Sequence, residues 1–106
     1  MINIDDFKKL SIKIGRIKKV EDHPNADKLY VVIVDIGGED RQVIAGIKQY
    51  YKPDELVGKQ AVILENMQPA TIRGVESQGM LLAAKDDERL SVLIPEREMK
   101  EGSLIS

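Results

Sequence analysis

The sequence has no cysteine, four aromatic residues and no long apolar run. Without cysteine, disulfides, thiolate zinc sites and cysteine nucleophiles are all excluded. Runs such as Tyr30–Val34 and Met80–Ala84 are far too short to span a membrane, and the N-terminus MINIDDFKKL lacks the layout of a signal peptide. So few aromatics argue against a reader of single strands that uses rows of stacked rings. We therefore expect a soluble cytoplasmic protein with no membrane partner.

Signals for catalysis and for metal binding are also missing. His23 is the sole histidine and precedes Pro24, and no nucleophile is signalled beside it, so we interpret it as a turn-forming residue. The carboxylates show no metal-loop spacing, and no glycine-rich phosphate cradle opens a helix. The sequence predicts no catalytic residue, no metal site and no cofactor.

The chain has the size and composition of one globular domain, with 106 residues, 42% hydrophobic and 32% charged. A net charge of −2 argues against indiscriminate nucleic-acid binding. The charges are nevertheless uneven, because residues 8–19 carry six basic side chains and no acidic one. This pattern indicates either a positive face or a solvated strand face. Its candidate binding residues are Lys13, Arg16 and Lys18.

Patterns along the chain predict a mostly β domain. A short helix with a polar cap at residues 3–7 precedes a strand at 12–20, where a bulge at Gly15 would keep the apolar residues inward. A β-branched strand at 29–36 follows, with Tyr30, Val32, Val34 and Ile36 toward the core. The remaining predicted elements are a Gly37-Gly38 hairpin turn, strands at 41–47, 61–64, 79–84 and 90–94, and a short helix at 52–58.

This order is that of an all-β, five-stranded OB-fold barrel with a short helix between strands three and four. In that fold, the surface of strands two and three and the loops after strands one and four bind oligonucleotides or oligosaccharides. Here those loops are EDHPNADK and the segment 66–84. We divide the single domain into an N-terminal helical extension (1–11), the barrel (12–84) and a C-terminal strand extension (85–106).

The segment 66–84 contains the most informative cation. Arg73 stands beside Gly74, so the backbone could approach a ligand closely while the guanidinium binds a phosphate. The alternative is an ordinary surface arginine paired with Glu76. Ser77 and Gln78 could hydrogen-bond phosphate, ribose or base edges, or simply satisfy the loop. Met80 is either a core residue or a soft contact surface.

Three stretches, DKLYVVIVDIGGEDRQVIAGI, ELVGK and IRGVESQGMLLAA, closely resemble the tRNA-binding domain family. That family includes the C-terminal domain or β-subunit of methionyl-tRNA synthetase, free-standing tRNA-binding proteins and the chaperone CsaA. The resemblance implies an OB-fold that binds tRNA by shape, and association with a catalytic methionyl-tRNA synthetase subunit. By position, it also implies binding roles for Arg41, Asn66, Arg73, Ser77, Gln78 and Met80.

The resemblance further implies a homodimer whose interface uses the N-terminal helix and the C-terminal strands. One departure is visible, because many relatives carry a basic pair after the proline where this chain has Ala70-Thr71. We therefore expect more of the phosphate affinity to rest on Arg73 and on the basic first strand. The expected interface residues are Ile4, Phe7, Leu10, Leu93, Ile94 and Pro95.

Two rival functions on the same fold remain. A CsaA-like chaperone would bind protein through an apolar groove, with Leu29, Val31 and Ile33 as candidate lining residues. An oligosaccharide-binding module would need surface aromatics that this sequence lacks.

Overall fold

The computed structural model describes all 106 residues and contains a five-stranded antiparallel sheet in the order β3-β2-β1-β4-β7. The expected OB-fold barrel with a short helix between strands three and four is confirmed. No helix has the length and apolar character needed to span a membrane. The elements are α1 (Ile4–Lys8), β1 (Ile12–Asp22), β2 (Tyr30–Asp35), β3 (Asp40–Ala45), α2 (Pro53–Leu56), β4 (Gln60–Leu64), β5 (Ala70–Ile72), β6 (Val75–Ser77), β7 (Met80–Leu81), β8 (Ala83–Lys85) and β9 (Leu90–Val92).

Strand β1 belongs to both halves of the barrel. Its first half, Ile12 to Arg16, pairs with β4, and its second half, Arg16 to Asp22, pairs with β2. The register with β2 shifts between Ile17 and Lys19, so the bulge expected at Gly15 lies three residues further along the chain. Gly15 has a different role: it is buried, and a Cβ there would overlap Cγ1 of Val34 on the neighbouring strand.

The core follows the alternation read from the second strand. Tyr30, Val32 and Val34 are buried, while the residues between them are half-buried, because successive side chains of a strand point to opposite faces. Leu56 of α2 is 2% exposed and packs into the same cluster. Pro53 opens this helix, as expected.

The C-terminal part contains more and shorter strands than the sequence predicted. The expected strand at 79–84 breaks at Leu82 into β7 and β8, and β8 pairs with β9 in a separate two-stranded sheet. Beyond β9, the last residues run along the first half of β1. The backbone N–H of Ile14 donates to Ser103 O at 2.9 Å, and that of Ile105 donates to Ile12 O at 2.8 Å. The tail therefore covers a strand edge that β2 leaves open.

The packing around Gly15 yields a stability prediction. Gly15→Ala should destabilise the domain by about 1–3 kcal/mol, as overpacking of a well-packed core usually does. Gly46→Ala is the matched control, because Gly46 is exposed and its added Cβ would meet only Leu29 Cδ2 at 3.6 Å. Urea unfolding of both variants measures the difference. Equal midpoints for the two variants would contradict the tight approach of β1 to β2.

Candidate nucleic-acid interface

The segment after β4 folds as a hairpin rather than an open loop. Strands β5 and β6 pair from Ala70↔Ser77 to Ile72↔Val75, leaving the two-residue turn Arg73-Gly74. Both turn residues have positive φ, 52° for Arg73 and 88° for Gly74. Two such residues in a two-residue turn match the twist of the flanking strands. The hairpin therefore carries Arg73 at its tip, in a conformation that non-glycine residues seldom adopt.

The hairpin tip is joined to the β1–β2 loop (residues 23–29) by what we call the loop–hairpin clasp, formed by His23, Asn25, Ile72 and Arg73. The Nε2 of His23 lies 2.9 Å from Ile72 O, and the Nδ1 accepts the backbone N–H of Asn25 at 2.9 Å. The side-chain amide of Asn25 donates to Arg73 O at 3.0 Å. His23 is 5% exposed, so the interpretation of this histidine as a structural turn residue agrees with its surroundings.

The Arg73 side chain has no acidic partner. Its Nη2 donates to the backbone carbonyl of Asn25 at 3.1 Å. The alternative pairing with Glu76 does not form, since Glu76 Oε1 instead accepts from the side-chain amide of Gln78. Arg73 is exposed and keeps N–H donors that no protein group uses. This is the geometry expected of a cation available for a phosphate.

The other end of the hairpin is held on β3 by side chains. Ser77 Oγ accepts the backbone N–H of Ile44 at 3.0 Å and donates to Gly79 O at 3.1 Å. Gln78 accepts the N–H of Gln42 with its side-chain oxygen at 3.0 Å, and its own backbone N–H donates to Gln42 O at 2.7 Å. Ser77 is 5% exposed. Both residues therefore hold the hairpin in place, and Ser77 in particular is turned away from solvent.

Arg41 adds to the contacts between β3 and the end of the hairpin. Its Nη1 donates to Glu65 O at 2.8 Å and to Gln78 O at 3.3 Å, so one guanidinium joins β3, the end of β4 and the end of the hairpin. Its side chain is 24% exposed. Arg41 therefore lies beside the hairpin, with part of its donor capacity already used inside the protein.

The Glu65 carboxylate lies at the centre of a second network. It accepts from the Ser11 hydroxyl, lies 2.8 Å from Lys13 Nζ and also faces Arg41 at 3.5 Å. The hydrogen bond from Lys13, followed by the one from Ser11, holds the pKa of Glu65 below its usual range. Lys13 is thus committed to an internal ion pair.

Asn66 ties the N-terminal extension to the barrel. Its Oδ1 accepts the backbone N–H of Ser11 at 2.9 Å, and its Nδ2 donates to Lys9 O at 2.7 Å. With both functional atoms of the amide engaged, Asn66 defines the path of residues 9–11 at the base of the hairpin.

The cations of β1 do not form an uncompensated positive face. Arg16 pairs with Glu98 and, at 2.8 Å, with Glu101 of the C-terminal segment, and it holds the pKa of Glu101 below its usual range. Lys18 pairs with Asp40 at 2.9 Å, which raises the pKa of this lysine. By contrast, Lys28 in the β1–β2 loop is exposed and forms no ion pair. Lys28 and Asn25 were not among the predicted site residues, although both lie in the loop EDHPNADK.

Residues 12–104 match the family model described as "Putative tRNA binding domain". The chain belongs to the tRNA-binding domain family. It is 56% identical over 104 residues to a methionine–tRNA ligase of Thermococcus kodakarensis, and 46% identical over 105 residues to that of Thermotoga maritima. These matches cover 98% and 99% of this chain but only 14% and 17% of the two ligases. The resemblance expected from the sequence motifs is confirmed.

Solved structures of similar proteins cover the whole chain. A MetRS-related protein from Pyrococcus horikoshii superposes with a TM-score of 0.93 at 34% identity, covering 100% of this chain and 98% of that one. The chaperone CsaA from Bacillus anthracis superposes with a TM-score of 0.91 at 28% identity, covering 100% and 99%. The tRNA-binding domain fold therefore extends from the N-terminal helix to the C-terminal tail.

The apolar and aromatic surface of this tRNA-binding domain is small near the hairpin. Met80 is 44% exposed at the start of β7, so it lies on the surface rather than in the core. Met67 is exposed on the same connection. No aromatic ring is fully exposed; Tyr30 is buried, and Phe7, Tyr50 and Tyr51 are half-buried. The four aromatic rings therefore present little surface on which unpaired bases could stack.

A second apolar surface lies at the N-terminal extension. Ile4, Phe7 and Leu10 line a groove of about 260 Å³ together with Leu104 and Ile105 of the tail. Ile4 and Leu104 are among its most exposed members. Of the other expected interface residues, Leu93 and Ile94 are exposed and Pro95 is half-buried.

The Glu65 network predicts a pH dependence of stability. Because the folded-state pKa of Glu65 is lowered, its contribution is present above the ordinary glutamate pKa of about 4.3 and is lost as the pH falls through the folded value. Glu65→Gln should therefore lower the free energy of unfolding at neutral pH, with the deficit shrinking in acid. Urea unfolding at several pH values measures this.

Glu96→Gln is the control, because the Glu96 side chain is 89% exposed and lies 3.6 Å from its sequence neighbour Arg97. This variant should resemble the parent protein at every pH. A deficit for Glu65→Gln that stays constant with pH would contradict the role assigned to the carboxylate charge.

Proposed function

We propose that this chain is a non-catalytic module that binds tRNA through its phosphate backbone. The observation that carries the proposal is Arg73, an exposed cation with no acidic partner at the tip of a hairpin that is hydrogen-bonded to two other parts of the barrel. Membership of the tRNA-binding domain family supports the choice of nucleic acid. Rigid placement of a guanidinium favours contact with phosphate, because its planar fork matches the phosphate oxygens.

The mode of recognition is by shape rather than by base sequence. Structured RNA is bound largely through phosphate and 2′-hydroxyl contacts, whereas sequence readers stack unpaired bases on aromatic rings. This domain has no fully exposed aromatic ring and presents free cations on two adjacent connections, Arg73 on the hairpin and Lys28 on the β1–β2 loop. Of the other candidates, those that hold the hairpin or the chain at its base are Arg41, Asn66, Ser77 and Gln78. Three basic candidates have their charge paired inside the protein and are secondary in this proposal: Lys13, Arg16 and Lys18. Met80 is an exposed apolar residue at the start of β7.

The biological role that we propose is that of an accessory β-subunit or detached C-terminal domain of a methionyl-tRNA synthetase in the cytoplasm. The relatives named as methionine–tRNA ligases contain a matching segment within a much longer chain. The module would add tRNA-binding energy without touching the chemical step, which lowers KM and leaves kcat unchanged. Association with the catalytic subunit would raise the local tRNA concentration.

We further propose a homodimer formed through the N-terminal helix and the C-terminal segments. The support is the apolar groove of Ile4, Phe7, Leu10, Leu104 and Ile105, which combines several exposed large hydrophobic residues. Helix α1 has five residues and no buried one, so a partner surface would stabilise it.

A second candidate function is protein binding of the CsaA kind. Val31 and Ile33 are half-buried on the outward side of β2, with Ile44 of β3 opposite Val31. Leu29, directly before β2, is also half-buried. The support for this candidate is that a protein of the same fold, CsaA from Bacillus anthracis, is named a chaperone. The two functions differ in salt response, because phosphate contacts release counterions and apolar contacts do not.

Arg73→Ala tests the proposed function. It should weaken tRNA binding by about 1–3 kcal/mol, as expected for the loss of a charged contact, and should reduce the slope of log affinity against log salt by about one. Filter binding over a series of salt concentrations measures both quantities. Arg89→Ala is the matched control, since Arg89 is an exposed arginine in the turn between β8 and β9.

Equal affinity of Arg73→Ala and the parent protein would remove Arg73 from the site. An affinity for tRNA that does not fall as salt rises would reject phosphate contact and favour the apolar surface of β2.

Deletion of residues 1–10 tests the dimer. It should shift the domain toward monomer, because it removes three of the apolar residues that line the groove, and Ile4→Glu combined with Leu10→Glu should act likewise. Analytical ultracentrifugation measures the mass. Met67→Glu changes an exposed apolar residue outside the groove and should leave the dimer intact. An intact dimer after the deletion would refute this interface.

A further inference from the structure

His23 has both ring nitrogens engaged with other parts of the chain. Nδ1 accepts the backbone N–H of Asn25, so Nε2 carries the hydrogen and donates to Ile72 O, 49 residues away. The same imidazole thus fixes the turn of its own loop and holds the hairpin strand that leads into Arg73. A ring that is 5% exposed cannot replace these bonds with water unless the loop moves.

Asn25 continues the connection to the hairpin tip. Its side-chain Nδ2 donates to the carbonyl of Arg73 at 3.0 Å, and its own carbonyl accepts from Arg73 Nη2 at 3.1 Å. Arg73 is therefore held at its backbone and at one corner of its guanidinium. The edge of the guanidinium that includes Nε is left without a protein partner.

We propose that His23 and Asn25 are positioning residues that aim the guanidinium of Arg73 at an RNA phosphate. This inference rests on the proposed function, and it deepens that function by assigning a role in binding to the β1–β2 loop. Neither residue needs to touch the RNA. Their effect on affinity passes through Arg73.

The backbone of Arg73 provides an independent reason for such support. Its φ of 52° is unfavourable for a non-glycine residue and persists only when the surroundings impose it. The clasp supplies that constraint through the carbonyls of Ile72 and Arg73. An arginine that is already held in place loses less rotamer entropy when it contacts phosphate. Such preorganisation therefore increases the binding affinity.

A double-mutant cycle distinguishes positioning from a purely structural role. Asn25→Ala, Arg73→Ala and the combined variant are compared for binding of one purified tRNA, at salt concentrations from about 50 to 200 mM. Asn25 is exposed, so its alanine variant should fold. We expect Asn25→Ala to weaken binding about threefold to tenfold and to lower the salt slope toward that of Arg73→Ala.

The decisive result is the combined variant. It should bind no more weakly than Arg73→Ala alone, because Asn25 has nothing left to position. Equal losses from Asn25→Ala in the presence and absence of Arg73 would overturn the inference, and so would no loss in either. If Arg73→Ala itself has no effect, the proposed phosphate contact fails first, which separates the two failures.

His23 is tested by a conservative pair. His23→Gln retains an amide that can both donate and accept, whereas His23→Ala removes both functions. The glutamine variant should recover part of the affinity that the alanine variant loses, with thermal unfolding recorded for each. A recovery of stability without any recovery of affinity would show that His23 serves only the fold.

Discussion

The barrel depends on how the free edge of β3 is closed. Along one edge, β3 forms a regular hydrogen-bonded ladder with β2. Along its other edge, the backbone of Gln42 and Ile44 is hydrogen-bonded to Ser77 and Gln78, largely through the side chains of these two residues. Arg41 adds bonds to the carbonyls of Glu65 and Gln78. An unsatisfied strand edge is costly or aggregation-prone, so these polar residues are needed by the fold itself.

This closure explains why fold and binding surface are difficult to separate here. The residues that the family resemblance assigns to binding include those that seal the barrel, and the same seal fixes the base of the hairpin whose tip carries Arg73. A rigid base and a clasped tip leave a short hairpin little freedom. Preorganised cations bind with a smaller entropic penalty, which suits a module whose role is to add affinity.

Charge along the sequence was a poor guide to charge on the surface. Six basic residues at 8–19 suggested a positive strand face, yet Lys13, Arg16 and Lys18 each meet a carboxylate from a distant part of the chain. Their partners, Glu65, Glu101 and Asp40, are far away in sequence. Among the basic residues that form no ion pair, Arg73 and Lys28 lie on connections between strands.

The sequence by itself was enough to predict the barrel. Its β-branched alternation, its glycine pair and its proline-led helix indicate strands, a turn and a helix from neighbouring residues alone, and the family motifs indicated how these elements are connected. It also placed Arg73 in the connection that follows β4. The tertiary structure decided the rest: the bulge near Lys18, the β5–β6 hairpin, the clasp through His23, and the pairing of the β1 cations. Each of these depends on contacts between residues distant in the chain, and local pattern carries no information about such partners.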